Sequence, residues 1–247
     1  IYLMKTKIFK FFKKKQNFDY IEKFSSFAQA KNYSDEVNIY FDKRLTKFQG
    51  PNKIEAAERF NIISILVSLI NKKKLNILDI GGGTNPAYSH IKKLTNISTN
   101  CIVLDTEKLV KIIKNKVPKK FKKNIKYITS IDEIKLKYLD IVCFNSSIHY
   151  LESYEKMVKK LSNLNPSYIL ITHTQFHLGN KNYYSLQCSI AGSLHPIIFF
   201  SLKNLKKLLF NCNYKPIFEN KYMINKHEHK SVGPNKFFLK DLLFKKI

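Results

Sequence analysis

Leu75-Asn76-Ile77-Leu78-Asp79-Ile80-Gly81-Gly82-Gly83-Thr84-Asn85-Pro86 is the stretch from which the fold is read. An apolar run ends in an acid, passes through three glycines and meets a helix start. A buried parallel strand reads as such a run, and glycine lets the chain turn sharply and lets a ligand approach the main chain. Thr84 or Asn85 is expected to cap the helix, with Pro86 at its first position, where no backbone donor is needed.

Strands and helices alternate outward from this point. Leu75–Ile80, Cys101–Asp105, Ile125–Thr129, Leu139–Phe144 and Tyr168–Thr172 read as strands separated by helical segments. Tyr214–Asn220 and Lys236–Phe244 read as two further strands that close the sheet. This order predicts an α/β fold: a Rossmann-like, seven-stranded, mostly parallel sheet with helices on both faces. Residues 1–74 read as an N-terminal helical extension, including a long amphipathic helix from about Asn52 to Leu69 after the break at Gly50-Pro51. Residues 75–247 form the main domain, with a loop-rich stretch from His173 to Pro196.

Composition narrows the function classes. The 247 residues are 44% hydrophobic and 25% charged, as in ordinary globular proteins. The longest apolar run, Ile62 to Ile70, is too short to span a bilayer, and no secretory signal is recognised. A cytoplasmic protein is expected. The net charge of +26 invites a nucleic-acid partner, but Arg44 and Arg59 are the only arginines among the 44 basic residues. Sequence-reading proteins favour arginine's planar fork, so nucleic acid is the weaker reading. Residues 1–16 interleave lysines with Ile8, Phe9, Phe11 and Phe12, a pattern suited either to a frayed or docked segment or to the anionic inner face of a membrane. Cys101, Cys143, Cys188 and Cys212 form no CxxC pair, so no zinc site is expected, and His227 and His229 read as solvated.

In such sheets ligands lie beyond the carboxyl ends of the strands. Gly81, Gly82 and Gly83 follow the first strand; Asp105 ends the second, where a carboxylate can hold two ribose hydroxyls. Ser130, Ile131 and Asp132 follow the third, and Asn145, Ser146 and Ser147 the fourth. A dinucleotide site prefers GxGxxG, but Pro86 stands at the last of those positions. A nucleoside without a pyrophosphate, such as S-adenosylmethionine (SAM), demands less of the helix start, and Asp79 just before the glycines also favours it.

Asp79-Ile80-Gly81-Gly82-Gly83, Val103-Leu104-Asp105 and Leu139-Asp140-Ile141-Val142 resemble successive motifs of class I SAM-dependent methyltransferases. Ser26-Phe27-Ala28-Gln29-Ala30, Ser146 to Leu151 and Ile171 to Phe176 look more closely like a bacterial methyltransferase family associated with surface-polysaccharide (O-antigen) gene clusters. The resemblance implies that Gly81 and Gly83 line the methionine portion of SAM and that Asp105 binds its ribose. It also implies that Ser130 and Ile131 flank adenine, and that Asn145 and Ser146 lie near the sulfonium. Asp79 would orient the glycine loop. The sequence departs at Asn85, where many methyltransferases have another glycine, and at His173, where the closer family often has arginine.

His149 is the candidate general base, because it follows the fourth strand and an unperturbed imidazole titrates near neutrality. Its alternative role is a packed or capping histidine, and His173 or His177 can serve in its place. The expected reaction is methylation of a sugar or other small-molecule acceptor. The alternatives are an RNA methyltransferase, disfavoured because Asn145-Ser146-Ser147-Ile148 replaces an Asn/Asp-Pro-Pro-aromatic motif, and a non-catalytic membrane-associated scaffold.

Overall fold

The residue runs that alternate in the sequence also alternate in space. The computed structural model describes residues 19–37, 61–188, 194–222 and 237–247. The chain enters through β1 (Asp19–Phe24), α1 (Phe27–Val37) and α2 (Asn61–Leu69). It continues with β2 (Lys74–Ile80), α3 (Ala87–Leu94), β3 (Ser98–Leu104), α4 (Glu107–Ile113), α5 (Lys119–Lys122) and β4 (Ile125–Ile128). A 3-10 turn at Ile131–Glu133 leads to β5 (Ile141–Asn145), and a second at Ile148–Tyr150 leads to α6 (Tyr154–Asn163). Then come β6 (Tyr168–His177), β7 (Tyr183–Cys188), β8 (Leu194–Ser201), α7 (Leu202–Asn211), β9 (Tyr214–Tyr222) and β10 (Phe238–Lys246). The basic segment 1–16, the start of the helix expected from Asn52, and His227 and His229 lie outside the described residues. Among the described residues no helix is long and apolar enough to cross a membrane.

The sheet runs in the order β1-β7-β8-β6-β5-β2-β3-β4, with β10 on β6 and β9 on β10. β4, β3, β2, β5 and β6 are mutually parallel. Period-two alternation divides their side chains between two cores. Ile77 and Cys143 join Ile63 and Val67 of α2 and Ile91 of α3 on one face. Leu78, Val142 and Ile169 meet Val158 and Leu161 of α6 on the other. Burial of each such aliphatic side chain is worth about 1.5–3 kcal/mol. That explains why β2 carries apolar residues on both faces.

Three expectations are corrected. The sheet has ten described strands, not seven, and is partly antiparallel: the seven anticipated strands are present, and β1, β7 and β8 add to them. The segment 19–24, placed in a helical extension, is a strand because it gains the edge of β7 as partner. The stretch His173–Pro196 is not mainly loop, since β6 extends to His177 and β7 and β8 pair within it.

The added strands cover one end of the parallel sheet. Along one edge of β6, residues Tyr168–Thr172 pair with β5. Further along, Phe176 and His177 pair with β8. β10 occupies the other edge as far as Phe176. Because one strand edge can pair only one neighbour at a time, β8 joins past the end of β5 and diverges from the sheet before that point. Its divergent part packs beside the Ile148–Tyr150 turn at the carboxyl ends of the strands, and β7 reaches the same turn through the Tyr150–Gln187 hydrogen bond.

Candidate cofactor and active site

Asp79 organises the bend. Its side chain is fully buried, and its Oδ2 accepts from the Ala87 N–H at 2.7 Å, at the start of α3. Oδ1 accepts from Cys143 Sγ at 3.5 Å and Asn145 Nδ2 at 3.4 Å. Burial pushes its carboxyl up to about 6, opposed chiefly by the Ala87 N–H. The helix is therefore capped from the preceding strand, not by Thr84 or Asn85 as anticipated. Pro86 takes the cap position in an extended conformation with no side-chain bond, and Asn85 is bonded to His90 at 2.8 Å instead.

The glycines fit this arrangement for separate reasons. Gly81 has φ +71°, and a Cβ there would lie 2.7 Å from Ser147 Cβ. A Cβ on Gly82 would lie 2.2 Å from Asp79 Oδ2. The protein's own side chains thus already fill the space beside two of the glycines. Gly83 donates to Asp105 Oδ2 at 3.0 Å, and its carbonyl accepts from the Tyr127 hydroxyl at 2.8 Å. Tyr127, which the sequence reading passed over, ties the loop to β4. Asp105 Oδ1 accepts from the Thr106 N–H at 2.7 Å. Burial raises the Asp105 carboxyl, and those two N–H groups counter the rise.

Beside this bend opens a cavity of about 460 Å³. Gly81, Asp105, Ser130 and Ile131 all line it, so four of the anticipated positions from three strand ends meet in one space. Its volume falls in the range of small-molecule sites, roughly 300–1,000 Å³. Leu104, Ile131, Leu151 and Met157 supply apolar wall, and Asp105, Thr106 and Ser130 supply polar groups. Ser153, Lys156, Met157 and Lys160 form the far side. These four follow helical spacing, a signal available in the sequence but unused there. The 3-10 turn after β4 is built by Ser130 and Glu133: Glu133 Oε1 accepts from the Thr129 and Ser130 N–H groups at 2.8 and 3.0 Å. Lys160 pairs with Asp132 at 2.8 Å at the surface.

The other anticipated residues, Gly82 and Gly83 included, are not in its lining. Asn145 is 8% exposed, with its amide between Asp79 and the Thr172 hydroxyl. Ser146 and His173 both adopt left-handed backbone, φ +57° and +47°. Ser146 follows the end of β5, His173 lies within β6 just past its pairing with β5, and the two are bonded: the Ser146 N–H donates to the Thr172 carbonyl, and its hydroxyl to the His173 carbonyl. Asp241, buried at a register shift of β10, accepts from the His173 N–H at 2.8 Å. Such conformations cost about 1–3 kcal/mol each and gather at functional sites. His149 is 1% exposed, in the turn after β5, with its ring centroid 4.2 Å from that of Tyr150. His177 is also buried; its Nδ1 accepts from the Gly179 N–H, and burial lowers its imidazole.

No protein-family model and no curated protein matches the chain. Solved structures do match. Magnesium protoporphyrin IX methyltransferase from Synechocystis PCC 6803 with bound SAM aligns with a TM-score of 0.55 at 12% identity, over 88% of this chain and 97% of that one. The N-terminal domain of EvdMO1, in the presence of S-adenosylhomocysteine (SAH) and D-fucose, aligns with a TM-score of 0.52 at 10% identity, over 89% and 97% of the two chains. A SAM-dependent methyltransferase from Methanosarcina mazei gives 0.52 at 11% identity, over 74% and 97%. At these identities the likeness is one of architecture: the chain has the α/β fold of SAM-dependent methyltransferases, with additional antiparallel strands.

Proposed function

We propose that this protein is a SAM-dependent methyltransferase acting on a hydroxyl of a sugar or other small molecule. One observation carries the reading: Gly81 of the glycine bend and Asp105 together line a cavity of about 460 Å³ with apolar walls. The cavity suits adenosine. Asp105 retains lone pairs for the ribose hydroxyls after bonding Gly83 and Thr106, since a carboxylate offers about four acceptor positions. Leu104, Ile131, Leu151 and Met157 suit the faces of a purine. The likeness to a SAM-bound methyltransferase fold supports the cofactor, and the neighbour crystallised in the presence of D-fucose supports a sugar acceptor.

When bound, SAM supplies a methyl group on a positively charged sulfur, open to in-line displacement. The chain's part is placement and proton removal. A neutral imidazole would take the proton of the acceptor's hydroxyl, leaving the oxygen's electron pair for the methyl that the cofactor would supply as its S–C bond breaks and the sulfur leaves as a neutral thioether. His149 is assigned this role, with His173 as the second candidate. Asn145 and Ser146, between the bend and His173, are assigned to the wall near the sulfonium. Production for surface glycans, at the inner face of a membrane, accords with the sequence resemblance.

Calorimetric titration with SAH tests the reading. Wild type binds, and Asp105→Ala weakens binding by about 10- to 100-fold, the worth of one charge-assisted hydrogen bond of roughly 1.5–3 kcal/mol. Wild-type protein that binds no SAH, or an Asp105→Ala variant that binds it equally well, would refute the proposal.

A further inference from the structure

Beyond the end of β5, β6 carries a buried amide that the adenosine cavity does not use. Gln175 stands three residues past Thr172, the last residue paired with β5. At about 3.3 Å per residue this is roughly 10 Å further out along the strand. Gln175 is 3% exposed. Its Nε2 donates to the Tyr20 hydroxyl at 3.0 Å, while Oε1 is buried with no hydrogen-bond partner among the described residues. The two ends of an amide are assigned from their bonds, so the firm point is that one end is used and the other is not.

The neighbouring strands extend this feature into a polar face. Tyr20 lies opposite Gln187 in the β1–β7 register, and Gln187 lies opposite His195 in the β7–β8 register. Residues opposed in this way share one side of a sheet. Gln187, 7% exposed, accepts from the Tyr150 hydroxyl, and Tyr150 packs against His149. Phe199 supports the row, with its ring centroid 5.0 Å from that of Tyr20. The face thus combines two amides and two phenols, and it ends at the candidate base. An open amide end in a dry site costs about 1–3 kcal/mol unless something fills it. Buried polar groups are nearly always satisfied, so such a group points to a ligand or an ordered water.

We infer that this face, from Gln175 across Tyr20 and Gln187 to Tyr150, binds the methyl acceptor, and that the acceptor is an uncharged polyhydroxylated ring that places a hydroxyl on Gln175. A hydroxyl both donates and accepts, so it satisfies the open amide end in either orientation. Amides and phenols suit neutral hydroxyls, whereas phosphate or carboxylate recognition calls for lysine or arginine. This inference rests on the methyltransferase reading, to which it adds the acceptor class and the residues that select it.

Saturation-transfer NMR on the full chain saturated with SAH provides the test. The probes are methyl α-D-glucopyranoside, methyl α-D-galactopyranoside, methyl α-L-rhamnopyranoside and D-fucose. At least one sugar gives a saturation signal, and Gln175→Leu weakens that sugar by tenfold or more without changing the calorimetric affinity for SAH. Gln175→Met, a second variant of similar volume, has the same effect, and melting temperatures verify that both variants fold. No signal from any of the four sugars, or unchanged sugar affinity in a folded Gln175 variant, overturns the inference. Failure to bind SAH refutes the parent reading instead, and a Gln175-dependent sugar signal in that protein still upholds the site.

Discussion

Gly82→Ala gives the shortest new contact of any Gly→Ala substitution among the described residues. The new methyl would stand 2.2 Å from Asp79 Oδ2, 2.7 Å from Asp79 Cγ and 3.1 Å from Val103 Cγ1. Comfortable separations between such atoms are about 3.5 Å, so the overlap exceeds an ångström at the carboxylate. Asp79 has no free space into which to move, because it is fully buried and holds the Ala87 N–H at 2.7 Å. Moving it gives up a hydrogen bond to a charged group, about 1.5–3 kcal/mol, in addition to about 1–3 kcal/mol of overpacking. The sum is about 2.5–6 kcal/mol. For a domain of this size each kcal/mol lowers the melting temperature by about 2–4 °C, so a fall of about 5–24 °C is expected by scanning calorimetry. Gly83→Ala is the control. Its added methyl meets nothing closer than 3.6 Å, and only the φ of +54° opposes it. That left-handed penalty is about 1–2 kcal/mol, or roughly 2–8 °C. Repeating Gly82→Ala in an Asp79→Ala background removes the clashing group, so the second substitution costs less there by more than about 0.5 kcal/mol. Equal losses for Gly82→Ala and Gly83→Ala, or full additivity with Asp79→Ala, would refute the argument.

Two further outcomes follow from buried groups away from the acceptor face. Asp79 sits at about 6, above its ordinary 3.8, so the folded state prefers it protonated. Its contribution to stability is complete below about pH 4 and is lost as pH rises to about 6, a change of about 3 kcal/mol at 1.36 kcal/mol per unit. Urea unfolding at pH 4, 5, 6 and 7 therefore shows wild type losing stability relative to Asp79→Asn over that interval; a constant difference, or one of opposite sign, contradicts the account. Tyr214, 1% exposed, donates to the Pro166 carbonyl at 2.8 Å far from the glycine bend. Tyr214→Phe leaves that carbonyl without its donor and costs about 1–3 kcal/mol in urea unfolding, with SAH affinity unchanged.

Much of the architecture was legible because the local signals were strong. Ile77, Leu78 and Ile80 are apolar whichever face they take, so β2 reads as a strand buried on both sides. Asp105 stands out because an acid at the end of such a run has few reasons to be there except an opening. The missed strands lack those signals. Tyr183 to Cys188 alternates polar and apolar residues over only six positions, and it becomes a strand through its pairing with β1 and β8. Residues 19–24 are a strand only because the edge of β7 lies beside them.

The site divides in the same way. The anticipated positions Gly81, Asp105, Ser130 and Ile131 converge on the cavity because each ends a parallel strand or follows one, and parallel strands bring their carboxyl ends together. The use of Asp79 as the cap of α3, the hold of Tyr127 on Gly83 and the face from Gln175 to Tyr150 depend on distances across strands far apart in the chain. Local periodicity and chemistry, carried by neighbours in sequence, determined the parallel sheet and the carboxyl-end edge on which the cavity opens. Strand pairing and side-chain packing between distant segments decided which groups cap, brace and line that edge, because those contacts exist only once the chain has closed on itself.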